Sequence, residues 1–285
     1  MTTMTEIMFV AMVVSVGCAL PGVFLVLRGM TMLSDAITHS VLLGIVLAFF
    51  VTQDLSSPLL FIGAVLIGMV TVWLTEALQK TNLMKKDAAI GLVYPLFFSI
   101  AIILISRYAG HVHLDIDSVM MGEIGFTPFT RFSFFGLDLG PQALWINLFI
   151  LLLNAVLIVI FYKELQVSTF HPAYAAALGF SPTLIHYGLM TSVSVTAVGA
   201  YDSVGSILVV GFMVGPAVTA YLHTKTLKKM IGLTIVVAIF NSLVGVYLAF
   251  QLDVAIAGMI ALVTGVTAFV SFLLKLAKQR LLAYI

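Results

Sequence analysis

Nine predominantly apolar stretches of about 20 residues recur along the chain, at 7–27, 31–51, 58–78, 88–106, 142–162, 182–200, 204–222, 231–250 and 254–274. A bilayer offers no water to backbone amides and carbonyls, so segments of this length cross it only as helices. Composition agrees: with 62% hydrophobic residues, 9% charged residues and a mean hydropathy of +1.19, too little polar surface remains to solvate a globular domain. The expected fold is an all-α polytopic membrane protein with about eight to nine transmembrane helices. Only Tyr201, Asp202 and Ser203 join the sixth and seventh stretches, so one of these two is expected to be broken or to cross halfway. No linker or shift of composition divides residues 1–285, which read as one domain without internal repeats.

The charge pattern excludes some functions and sets an orientation. The formal net charge is +1, and no basic cluster is interleaved with aromatics, which sets nucleic acid aside as a partner. Cys18 is the one cysteine, so neither an intramolecular disulfide nor a multi-cysteine metal site can form. Ser15-Val16-Gly17-Cys18 is a weak match to a lipoprotein cleavage site, but the charge ahead of it is Glu6 where a signal peptide needs Lys or Arg, so the chain is read as mature from Met1. If the connection after the fifth span is cytoplasmic, Arg28, Lys80, Lys85, Lys86, Lys163, Lys225, Lys228, Lys229, Lys275, Lys278 and Arg280 all lie inside. Only Arg107 and Arg131 then lie outside. The positive-inside rule therefore predicts an external amino terminus and a cytoplasmic carboxyl terminus.

Within this apolar frame, Asp35 and His39 open the second span. Four residues apart on a helix, they stack on one face about 6 Å apart along the axis, close enough for a carboxylate oxygen and an imidazole nitrogen to reach one ion. Ionisable side chains inside a membrane are costly and usually face a pathway or a partner. The plainer alternative is a buried structural pair in which His39 only satisfies Asp35.

Two connections exceed what a bundle needs. The outer one, Arg107 to Pro141, carries His111, His113, Asp115 and Asp117, which read either as a cation-collecting cluster or as hydrated loop residues. Ser118 to Ile124 can form a short helix that brings Glu123 toward Asp35; a solvated loop carboxylate is the other reading. In the inner connection, residues 170–179 have Pro172 in the first turn, small helix formers, and Gly179 as terminator, and so predict a short cytoplasmic helix. Phe170, Tyr174 and Leu178 line one side of it, and this stripe requires a partner, the membrane surface, or its own bundle. Gly211 and Gly215 permit close helix approach, more readily for internal packing than for dimerisation.

These motifs together resemble one family. Leu27-Arg28-Gly29-Met30 with Ser34-Asp35-Ala36-Ile37-Thr38-His39, Lys86 to Gly91, Phe170 to Gly179, His186-Tyr187, Ser203 to Val210 and Gly215 to Ala220 occur in order. They are similar to integral membrane subunits of ATP-binding-cassette importers for manganese, zinc and iron. The resemblance spans almost the whole chain. It implies a second permease subunit, identical or related, cytoplasmic ATP-binding subunits, and an extracytoplasmic metal-binding protein. It also implies that Asp35 and His39 bind the transported metal, and that Phe170, His171, Tyr174, Leu178 and Gly179 belong to a coupling helix gripped by the ATPase. The chain departs from the family pattern at His171, where an acidic residue is usual, and at Leu43, where proline is frequent. Gly122-Glu123-Ile124 and Tyr201-Asp202-Ser203 are closer to the manganese and iron branch than to the zinc branch.

The donor set is compatible with that branch. Carboxylate and imidazole without thiolate suit Mn²⁺ or Fe²⁺ and also admit Zn²⁺. Two side chains are too few ligands, so Glu123, Asp202, backbone carbonyls or water are expected to complete the shell; Asp202 reads equally as a helix cap. No phosphate-binding Gly-x-x-x-x-Gly-Lys-Ser/Thr loop occurs, so the chain is expected to be no enzyme, to hold no permanent cofactor, and to leave ATP to a partner subunit. Two alternatives are a secondary transporter in which Asp35 titrates and an intramembrane metallohydrolase. The absence of His-Glu-x-x-His counts against the hydrolase.

Overall fold

A computed structural model describes residues 3–54, 57–108, 124–134 and 137–283. Among the described residues, eight helices are long and apolar enough to cross a membrane. They are α1 (Thr3–Leu27), α2 (Thr31–Thr52), α3 (Pro58–Lys80), α4 (Lys86–Tyr108), α5 (Gln142–Ile160), α8 (Pro182–His223), α9 (Leu227–Leu252) and α10 (Ile256–Ala283). Between α4 and α5 lie a 3₁₀ turn (Ile124–Phe129) and an antiparallel hairpin of β1 (Arg131–Phe134) and β2 (Leu137–Pro141). Two short helices, α6 (Tyr162–Phe170) and α7 (Pro172–Ala177), connect α5 to α8.

Helix α1 is the axis of the bundle: 78% of its span is buried, against 17% for α10 at the periphery. It packs against α2, α5, α8 and α9. Pro21 interrupts α1 and lacks the N–H that would bond the carbonyl of Gly17. Asn154 of α5 fills that role, its Nδ2 donating to the Gly17 oxygen at 3.1 Å. The same amide donates to Thr196 Oγ1 at 2.7 Å and accepts from Ser192 Oγ at 2.5 Å, both on α8. One buried side chain thus repairs the proline break and ties three helices together, as apolar surroundings demand. Helices α2 and α3 approach closely at two glycines: a Cβ on Gly44 would stand 2.4 Å from the Gly63 carbonyl oxygen.

The sixth and seventh apolar stretches are two limbs of α8. Gly205 breaks the helix with φ 75° and ψ 166°, a conformation open to glycine and costly for other residues. Contacts show that the chain reverses there. His186 meets Arg28, Thr196 shares Asn154 with Gly17, and Ser203 meets Asn147, so the first limb runs antiparallel to α1. Met213 then packs back against Gly22, nearer the Arg28 end than Gly17. An unbroken helix would carry Met213 about 25 Å beyond Thr196 in the other direction.

The connection from α5 to α8 corrects one expectation. Instead of a single helix over 170–179, Phe170 ends α6, and α7 starts only at Pro172. The residue before a proline is driven out of helical geometry, and His171 accordingly adopts φ −142° and ψ 74°. Gly179 terminates the segment as expected: its N–H bonds Ala176 O, and the N–H of Phe180 bonds Ala175 O, both at 3.1 Å, which is a Schellman cap.

Candidate metal pathway

Helix α2 carries Asp35 and His39 among hydroxyls that bond its own carbonyls. Ser34 Oγ donates to Thr31 O at 2.7 Å, Thr38 Oγ1 to Asp35 O at 2.8 Å, and Ser40 Oγ to Ala36 O at 2.6 Å. Asp35 Oδ1 and His39 Nε2 stand 3.4 Å apart, with side chains 37% and 24% exposed. That is longer than an ordinary hydrogen bond. Two donors that share an ion at about 2.0–2.2 Å stand about 2.8–3.6 Å apart in octahedral or tetrahedral geometry, so this pair has ligand spacing. The imidazole is oriented from α4, stacking on Tyr94 with centroids 5.6 Å apart and meeting the edge of Phe98 at 6.1 Å.

Asp35 opens into a groove of about 340 Å³ whose walls include Thr31, Gly211, Gly215, Thr264 and Gly265. Small residues from the second limb of α8 and from α10 leave this space beside the carboxylate. Gly215 packs against Thr264 of its own bundle, where a Cβ would meet Thr264 Cγ2 at 2.2 Å. Gly211 has nothing within 4 Å and forms open floor.

Asp202 is not brought to this pair. Gly68 touches both Ile37 and Ser194, which places those two residues at one level, and Asp202 lies about 12 Å further along α8, exposed near the limb turn. Glu123, together with His111, His113, Asp115 and Asp117, lies outside the described residues. Among the described residues, no group of three or more His, Cys, Asp or Glu side chains converges.

In the α6–α7 connection, Phe170, Tyr174 and Leu178 are about half exposed, whereas Ala175 is fully buried. The aromatic and aliphatic stripe therefore stays uncovered by its own bundle, and of the α7 residues Ala175 alone is buried.

Residues 1–275 match the ABC 3 transport family. The chain belongs to the ABC 3 transport family. As an ABC 3 permease it is a multi-pass membrane subunit of an ATP-binding-cassette transporter and not an enzyme. It is 49% identical over 261 residues to the zinc transport system membrane protein TroD of Treponema pallidum (strain Nichols), covering 92% of this chain and 71% of TroD. It is 44% identical over 260 residues to the manganese transport system membrane protein MntD of Bacillus subtilis (strain 168), covering 91% of this chain and 88% of MntD. Its fold is similar to a chain of the structure of PsaBC from Streptococcus pneumoniae in complex with Fab, with a TM-score of 0.78 and 29% identity over 95% of this chain and 91% of that one.

Tyr94 and Phe98 went unnoticed in the sequence of this ABC 3 permease. The signal that could have found them is their own i, i+4 spacing on α4, which places two aromatic rings on one helix face. Nothing in that spacing names His39 as the side chain they hold.

Proposed function

We propose that the chain is the permease subunit of an ATP-driven importer of divalent transition metal ions, Mn²⁺ or Fe²⁺ in preference, with Zn²⁺ admitted. Asp35 and His39 receive the ion from an extracytoplasmic binding protein and pass it inward. The observation that carries this reading is the pair itself, two part-exposed donors at 3.4 Å on a helix whose neighbouring Ser34, Thr38 and Ser40 hydroxyls are bonded to its own carbonyls. The Tyr94 stack holds the imidazole on that side of α2, while the groove leaves the carboxylate open for further ligands. Water or a second permease subunit completes the shell, and a site with so few fixed side-chain donors binds loosely enough to release its ion.

The end that carries Arg28, Lys80 of α3, and Lys225, Lys228 and Lys229 after α8 faces the cytoplasm of a bacterium. The amino terminus is then external. On the cytoplasmic face, Phe170, His171, Tyr174, Leu178 and Gly179 form the surface gripped by the ATP-binding subunit, supported by the uncovered apolar stripe.

The test is ATP-dependent uptake of Mn²⁺, Fe²⁺ and Zn²⁺ into liposomes holding the permease, its ATPase and its binding protein. Asp35→Ala and His39→Ala are expected to assemble and to lose uptake by at least tenfold. Normal uptake by both assembled variants refutes the assignment of the site.

A further inference from the structure

Between the coupling segment and the proposed metal site lies an arginine that neither role accounts for. Arg28 directly follows α1, and its guanidinium is mostly buried, which pulls its pKa below the ordinary arginine value. Every arm of the side chain is used. Nε donates to Thr169 Oγ1 at 3.2 Å and one terminal nitrogen to Ser168 Oγ at 3.0 Å, both in the last turn of α6. The other terminal nitrogen reaches Nδ1 of His186 on α8 at 3.1 Å. Arginine only donates, so Nδ1 accepts and the ring proton sits on Nε2, which faces Glu76 Oε1 of α3. The second oxygen of Glu76 accepts from Tyr187 at 3.0 Å. A continuous polar chain therefore joins α6, α1, α8 and α3.

Both ends of this chain bear on the transport elements. Ser168 and Thr169 immediately precede Phe170 and His171. On the other side, Arg28 is separated from Thr31, the first residue of α2, by only Gly29 and Met30. That turn is stiff: Gly29 N–H bonds Val26 O at 3.1 Å and Met30 N–H bonds Leu25 O at 2.8 Å, a Schellman cap with Gly29 at φ 61°. Lys86 Nζ, at the head of α4, holds the Gly29 carbonyl at 3.1 Å, and the same helix carries Tyr94 against His39. Asp35 lies about one helical turn into α2. A shift of the last turn of α6 cannot leave the guanidinium behind without breaking two part-buried, charge-assisted hydrogen bonds, which are stronger than neutral ones. A stiff turn delivers that shift to α2 as movement of the helix, with no local bend to absorb it.

We infer that Arg28 is a positioning residue of the transport cycle: its guanidinium carries movement of the coupling segment through the α1–α2 turn to Asp35 and His39. This rests on the coupling and metal-site roles proposed above.

The experiment uses the full transporter in liposomes, with Mn²⁺ as the probe, and compares wild type with Arg28→Lys and with the double variant Ser168→Ala/Thr169→Ala. Lysine keeps the charge but loses the fork, and the double variant removes the two hydroxyls with no more than the Thr169 methyl besides. Three quantities are read: assembly with the ATPase, Mn²⁺ affinity of the solubilised permease by equilibrium dialysis, and Mn²⁺ ions transported per ATP hydrolysed. The expected result is intact assembly, affinity within twofold, and a fall of at least tenfold in ions per ATP for both variants. A ratio within twofold of wild type, a parallel loss of Mn²⁺ affinity, or loss of assembly in both variants overturns the inference, since each makes Arg28 an anchor only. Asp35→Ala and Tyr174→Asp run alongside. If they leave uptake and ATPase association unchanged, the underlying transport reading fails, whatever the Arg28 and α6 variants do.

Discussion

Gly22→Ala should be among the most damaging single-methyl changes in this chain. A Cβ on Gly22 would stand 1.9 Å from the carbonyl oxygen of Met213, 2.8 Å from its carbon and 3.1 Å from its Cα. These are backbone atoms in the middle of the second limb of α8, so no rotamer change relieves them. Ordinary contact requires α1 and that limb to separate by about 1.5 Å, and a radial gap of 0.5–1 Å already forfeits a quarter to a half of each dispersion contact across it. Because α1 is the axis of the bundle, the shift also disturbs its packing against α2, α5 and α9. Overpacking of this kind costs about 1–3 kcal/mol, and a clash with fixed backbone belongs at the upper end. Alanine gains about 0.5–1 kcal/mol in helix propensity over glycine, which would mask part of the loss. Gly211→Ala is the control, since nothing lies within 4 Å of its Cβ and the same gain applies. The difference between the two variants therefore isolates the clash at about 2–3 kcal/mol, a 30- to 150-fold change in the unfolding constant. Gly199→Ala should fall between them, because the atom it meets, at 2.0 Å, is the Cδ1 tip of Ile150, which can rotate. The assay is reversible unfolding by SDS in mixed micelles. Equal stability of Gly22→Ala and Gly211→Ala, within 0.5 kcal/mol on the same scale, would refute the reasoning.

Two further outcomes follow from local geometry. Gly205→Ala forces a side chain into φ 75° and ψ 166° at the limb turn and should cost about 1–3 kcal/mol in the same assay, whereas the helical Gly232→Ala should not destabilise. At the hairpin, the 2.6 Å contact with Arg131 Nε holds the Asp138 carboxyl below the usual aspartate range, helped by the N–H of Gly140. A depressed folded pKa contributes stability that is fully present above the unfolded value near pH 4 and is lost as pH falls through the folded value. Trp145, whose indole N–H donates to Leu139 O at 3.0 Å, reports on β2. In a Trp73→Phe background its emission should stay constant down to about pH 4 and change only below it. Asp138→Asn should abolish that acid transition, and a transition that survives the substitution would assign it to another group.

Much of the site is legible in the sequence because it is local. Asp35 and His39 face the same way by helical period alone, and Gly179 ends its segment by the backbone freedom of glycine. Locality also explains the boundary misplaced in the inner connection. The apolar spacing of Phe170, Tyr174 and Leu178 argues for one continuous helix, but proline at 172 acts on the residue before it, and this backbone restriction outweighs the spacing.

By itself, then, the sequence determined the membrane class, the spans and the paired donors on α2, because each follows from length, hydropathy or a repeat within a few residues. Only the tertiary structure decided that α8 doubles back at Gly205, that Asn154 repairs the break made by Pro21, and that Tyr94 and Phe98 hold His39. It alone decided that Arg28 meets Ser168, Thr169 and His186, partners 140, 141 and 158 residues away. In a bundle whose membrane-spanning helices carry large apolar side chains on their outer faces as well as inside, hydrophobic pattern does not say which helix face meets which. That choice falls to a few buried polar groups and close glycine contacts, whose partners are set by packing in space and not by distance along the chain.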